Sequence, residues 1–183
     1  MYINRQDRAE KAFLNAILID SSFAEAHAAL GDVYREEGEF EKAMQSYRRA
    51  IKLDTQLAGG YGGLADVFHE KRDTEKAIAL YHRAVELDPA DGVSHARLAG
   101  LYRKQGWQQK YEEAYHIALD LIPTTSYYNR ACLESIAGNV PAAIKLLRRG
   151  LHLREIQPDW IRRDPDFDFI RQDQRFEGLM SSR

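Results

Sequence analysis

"HAALGDVYREEGEFEKAMQSYRRAIKLDT" (His27–Thr55) aligns without a gap on "YGGLADVFHEKRDTEKAIALYHRAVELDP" (Tyr61–Pro89) and on "HARLAGLYRKQGWQQKYEEAYHIALDLIP" (His95–Pro123). The register is 34 residues: Leu30, Leu64 and Leu98 share a column, followed by Gly31, Ala65 and Ala99, then by Tyr34, Phe68 and Tyr102. Later columns hold Ala43, Ala77 and Tyr111, then Tyr47, Tyr81 and Tyr115, then Ala50, Ala84 and Ala118. The units close at Thr55, Pro89 and Pro123. Leucine, small residue and aromatic lie three and four apart, so they share one helix face, and the later columns do the same for a second helix. Small residues beside rings let two antiparallel helices approach closely. "EEGEF" and "KQGWQ" break the helices within a unit, and Pro89 and Pro123 end the second helices. Each pair keeps an apolar face that only a neighbouring pair can cover, which predicts a stacked solenoid.

These columns resemble the tetratricopeptide repeat. The resemblance implies an all-α fold, a right-handed α-solenoid of stacked antiparallel helix pairs, with repeats at 24–57, 58–91 and 92–125. Upstream, Ala9, Phe13 and Ala16 lie 34 before Ala43, Tyr47 and Ala50, so 1–23 reads as a half-repeat with the second helix alone. Such an end suits a fragment of a longer array, a helix covered by another molecule, or a terminal half-repeat with a polar outer face. Residues 126–157 read as a degenerate fourth repeat: Gly138 follows Gly106 by 32, which slips the phase by two and puts Arg130 and Glu134 where leucine and aromatic are expected. The tail, 158–183, resembles the end-of-group form of bacterial tetratricopeptide arrays, with "DPDF", "IR" and "RF". Its implied role is a short helical C-terminal cap, with Asp164 and Asp173 as N-caps. Trp160, Phe167, Ile170, Phe176 and Leu179 supply its apolar weight.

Composition excludes several function classes. A net charge of −2 offers no clustered positive excess for nucleic acid. Cys132 is the single cysteine, so neither an intrachain disulfide nor a thiolate zinc site can form. No apolar run is long enough for a membrane span and the first residues carry no apolar h-region, so a cytoplasmic protein is expected. Charge is polarised: the fourth repeat has five basic against two acidic residues, while the first two have 5 against 7 and 4 against 7. That gradient could orient a partner or align copies head to tail.

The motifs that imitate chemistry give way to packing. Gly60, Gly62 and Ala65 have dinucleotide-loop spacing, but a strand must precede such a loop and "AMQSYRRAIKLD" has helical periodicity. Asp164, Asp166 and Asp168 imitate a calcium loop, yet Phe169 and Arg175 stand where glycine and glutamate are required. No two histidines are three or four apart, and His27 and His95 share a column with Tyr61, which suits packing at the repeat interface. Cys132 has no nucleophile motif around it. No catalytic, cofactor or metal site is expected.

In tetratricopeptide arrays the first helices line a concave surface where partners bind. The resemblance implies that Ala28, Gly62 and Ala96 form a small-residue floor, with Gly59 facing the same groove. Asp32 and Asp66 form the next column, then Arg35, His69 and Arg103, beside Glu36, Glu70 and Lys104. Where the family's carboxylate clamp needs basic and amide side chains, this chain holds Ala28, Asp32, Gly63, Val93 and Arg97, of which only Arg97 would serve. The expected function is a non-catalytic interaction module, free-standing or a regulatory part of a larger protein, that binds a protein or peptide segment. The alternative is a structural protein that self-assembles through α-helix surface left uncovered at 1–23. An enzyme would need convergent polar groups, for which no motif speaks.

Overall fold

The computed structural model describes residues 3–181, with side chains from residue 7 onward. Helices are the only regular elements among them, and they fall into two compact units, Met1–Asp88 and Pro89–Arg183.

The first unit contains α1 (Ile3–Ile19), α2 (Ala24–Glu36), α3 (Phe40–Leu53), α4 (Ala58–Glu70) and α5 (Thr74–Leu87). Consecutive helices pack on one another, and α2 also touches α4. One stripe of α3 carries Ala43, Tyr47 and Ala50, all fully buried, and α5 repeats it with Ala77, Tyr81 and Ala84. Tyr47 fills the space between two first helices. A Cβ placed on Gly31 of α2 would stand 2.7 Å from its ring, and one on Gly63 of α4 would fall inside contact distance of the same ring. Neither glycine can gain a side chain while that ring stays put.

The second unit contains α6 (Gly92–Lys104), α7 (Gln108–Leu121), α8 (Tyr127–Ala137), α9 (Val140–His152), α10 (Pro158–Arg163), a 3-10 turn at Pro165–Phe169 and α11 (Gln174–Ser181). Its main cluster joins Ala131, Ala143 and Leu147 to Ile161, Phe167, Ile170 and Phe176. Phe167 stacks on Phe176 at 5.9 Å and meets the edge of Tyr128 at 5.9 Å. Phe167, Ile170 and Phe176 are buried, whereas Trp160 and Leu179 remain half-buried. Asp164 caps the 3-10 turn by accepting from Asp166 N, and Asp173 accepts from Arg175 N ahead of α11.

The phase slip expected inside α8 is not there. Cys132, Leu133 and Ile136 stand 34 after Leu98, Ala99 and Tyr102, and all three are buried. The two residues are lost at the turn that follows, where Gly138 takes a φ of 80° directly at the helix end. Arg130, off that buried stripe, donates to the Ile122 carbonyl.

Gly38 and Gly106 make the corresponding left-handed turns at φ 81° and 72°, and in the second repeat Arg72 takes that place at φ 61°. The His27, Tyr61 and His95 column also differs from expectation. These side chains reach back six residues to the carbonyls of Ser21, Thr55 and Pro89 at 3.2, 3.4 and 3.2 Å. They tie down the turn before each first helix rather than pack between repeats.

Candidate functional site

On the first-helix face of the first unit, polar side chains are bound into a repeating scheme. Tyr47 Oη donates to Asp32 Oδ1 at 2.6 Å, and one repeat later Tyr81 Oη donates to Asp66 Oδ1 at 2.6 Å. Burial, and then the Asp32 charge, hold the Tyr47 hydroxyl far above its ordinary pKa, so it stays a donor. Crowding by the surrounding helices raises the Asp32 carboxyl, against the opposing pull of Tyr47 and Arg35. Arg35 on α2 pairs with Glu70 at 2.9 Å and approaches Asp66 at 3.8 Å on α4. Burial alone would lower its pKa, but Asp66 and Glu70 more than offset that and keep the guanidinium charged. These carboxylates therefore stitch α2 to α4 and to the tyrosines behind them.

Between those groups the face is bare. Ala28 and Gly62 are half-buried, Gly59 is exposed, and a Cβ on Gly59 would meet open space. Asp32 keeps an exposed side, and Glu36 is half-buried. His69 is not on the open face: it is 3% exposed and its ring lies edge-on to Tyr81 at 6.3 Å.

The same face in the second unit is already filled. Ala96, read as groove floor, is 3% exposed and packs with Ala118, Ile122 and Leu133. Gly100 stands where Asp32 and Asp66 stand in the earlier repeats, and a Cβ there would meet Asp166 Oδ1 at 3.0 Å. The C-terminal segment enters through that gap. Arg97 Nη1 donates to Asp164 Oδ2 at 2.9 Å and to Asp166 Oδ2 at 2.5 Å, with all three residues buried. Tyr128 Oη also donates to Asp164 at 2.7 Å, and Ser135 Oγ donates to the Asp166 carbonyl at 2.6 Å. Lys104 Nζ donates to the Pro165 carbonyl at 2.8 Å and to Asp168 at 3.1 Å, and Arg103 lies over the Phe169 ring at 4.9 Å. Arg103 and Lys104, expected to line a groove, instead hold the chain's own tail.

Arg97 does grip carboxylates, though they belong to this chain. The sequence carries a signal for it: glycine at position 100 opens the aspartate column, and a run of aspartates appears only in the tail. Asp164 and Asp166 are accordingly taken up by a guanidinium rather than arranged as a calcium loop. Cys132 is buried beside them, 3.7 Å from Asp164 Oδ2. Burial first, and Asp164 second, push its thiol well above the usual range, which suits a packing role and not a nucleophile. Gly60, Gly62 and Ala65, with dinucleotide-loop spacing, all lie within α4.

Family models described as "TPR repeat" and "Tetratricopeptide repeat" match residues 31–72 and 58–91. Among solved structures, TTC0263, a thermophilic TPR protein in Thermus thermophilus, is similar at a TM-score of 0.65 and 19% identity, over 90% of this chain and 92% of that one. MamA is similar at a TM-score of 0.57 and 23% identity, over 84% and 91%. YrrB, described as a TPR protein with an unusual peptide-binding site, is similar at 0.53 and 21%, over 88% and 83%. No curated protein matches the chain by sequence. The 34-residue columns, the paired helices that they build and these likenesses agree: residues 31–91 carry tetratricopeptide repeats, and the chain has the α-solenoid fold of tetratricopeptide-repeat proteins.

Proposed function

We propose that this protein, like tetratricopeptide repeats in general, is a protein–protein interaction module, that it has no catalytic activity, and that it holds an extended segment of a partner protein on the α2–α4 face. The carrying observation is the bare strip of Ala28, Gly59 and Gly62 beside Asp32 and Asp66, where a partner backbone can come close. Asp32 repels a carboxylate, so the segment presents N–H or cationic donors there. YrrB, similar in fold, is described as having a peptide-binding site. In the second unit the equivalent helix face is closed off within that unit, since Ala96 is buried against Ala118, Ile122 and Leu133 and the tail holds Arg103 and Lys104. Using wild type and Gly59→Leu as baits in the native host's lysate, mass spectrometry should show partners lost at least tenfold with the variant. A Gly62→Leu bait should behave alike, with the helical circular dichroism of both unchanged. Retention of the same partners by both variants would rule the α2–α4 face out.

Self-association is the second reading, favoured by one observation. Leu14, Leu18 and Ile19 on α1 are 43%, 84% and 87% exposed, a row that a second copy would cover. Light scattering should then give a mass above the monomer for wild type and the monomer mass for Leu18→Glu. A monomeric wild type at high concentration ends that reading.

A further inference from the structure

The second helices of the repeats carry acidic residues: Glu41 on α3, Glu75 and Glu86 on α5, and Glu112, Glu113 and Asp120 on α7. The equivalent helix of the fourth pair, α9, has none. Its outer surface instead presents Lys145, Arg148, Arg149 and His152, all exposed. Lys145 lies three and four residues before Arg148 and Arg149, so like charges face one another at a cost of about 0.2–0.5 kcal/mol per pair. The helix dipole accounts for Arg149 and His152 in the last turn, but not for Lys145 or Arg148. Among the described residues no carboxylate pairs with any of the four.

These side chains line an open hollow of about 720 Å³ together with Tyr127, Ala142 and Leu146, and its surface is largely apolar. Tyr127, from the start of α8, lies beside Gly150 of α9, where a Cβ would stand 3.4 Å from Tyr127 Cβ and inside the contact distance of Ile156. A solvated helix face needs neither the unbalanced charge nor the depression beneath it.

We infer that this hollow on α9 docks an acidic segment of a partner protein, one that inserts an apolar side chain between carboxylates. The apolar surface takes the side chain, and the cations neutralise the carboxylates. From Lys145 to His152 the helix rises about 10 Å, the span of roughly three residues of extended chain, so carboxylates on either side of one anchor reach both ends. A single nucleic acid strand is held along a basic track with a stacking ring for each of several bases, and the hollow offers the one phenol ring of Tyr127; a flat bilayer cannot follow a depression. An overall net charge of −2 makes this local excess the part of the surface that an acidic segment approaches. The site lies on a second helix of the second unit, so it stands or falls separately from the α2–α4 face.

The test is fluorescence anisotropy on the full chain with a labelled peptide centred on Glu-Glu-Phe-Glu-Glu. Three further probes accompany it: the same peptide with glutamine for glutamate, an oligothymidylate, and phosphatidylserine vesicles. The acidic peptide should bind, weakening steeply with salt, and the glutamine peptide should bind at least tenfold more weakly. Lys145→Glu/Arg149→Glu should lose at least tenfold for the acidic peptide, with unchanged circular dichroism and Tm. Leu146→Ser should lose affinity without changing the salt dependence. Failure of the acidic peptide to bind, undiminished binding by the double variant, or tighter binding of the oligothymidylate or the vesicles would overturn the inference.

Discussion

Arg97→Met is expected to destabilise the protein by about 3–5 kcal/mol, because it removes the guanidinium that pairs with the buried carboxylates of Asp164 and Asp166. For a unit of this size that is a fall in Tm of more than about 10 °C. The guanidinium is 7% exposed and the two aspartates are 4% and 0%, so water cannot take its place. Adding Asp164→Asn and Asp166→Asn to Arg97→Met should recover most of the loss, since asparagine keeps the shape and can still cap the 3-10 turn. Thermal denaturation of the single and triple variants measures the difference. A single variant within about 1 kcal/mol of wild type would mean that the tail is held by its apolar residues alone.

Gly63→Ala and Gly59→Ala should move stability in opposite directions, although both replace a glycine of α4. In a helix interior alanine is favoured over glycine by about 1 kcal/mol, less in the first turn. At Gly59 the added methyl meets nothing, so a small gain is expected. At Gly63 it runs into the Tyr47 ring, which is fully buried and hydrogen-bonded to Asp32 and so has little room to withdraw. Overpacking of that kind costs about 1–3 kcal/mol, and that outweighs the propensity gain. Urea titration of the pair gives the two signs directly. A more stable Gly63→Ala would show that Tyr47 is not wedged between α2 and α4.

The repeat is legible because its signals are local. Leu30, Gly31 and Tyr34 sit within one helical turn, and the same trio of residue types recurs at a fixed distance. The turns are legible too, through Gly38 and Gly106, but not Arg72, whose side chain gives no hint of a left-handed backbone. In the candidate site, local reading puts Asp32 and Asp66 in one column. It does not show that tyrosines fifteen residues away donate to both. Gly62 reads as the floor, while the glycine with a steric reason is its neighbour Gly63, visible only once Tyr47 is placed against it. Ala96, Arg103 and Lys104 look like open groove in the sequence for the same cause. Ala96 is covered by Ala118, Ile122 and Leu133 of the helices that follow it, while Arg103 and Lys104 find their partners more than sixty residues along the chain, where no periodicity connects them.

That separation bears on how the protein is made. Arg97 precedes Asp164 by 67 residues and Asp166 by 69. At roughly 5–20 residues added per second, the ribosome delivers these counter-charges several seconds after Arg97 has emerged. During that interval the apolar residues that Phe167 and Phe176 cover have nothing to close over them. The native packing of the second unit therefore waits on the synthesis of its tail, and folding of α6 to α9 cannot finish ahead of it.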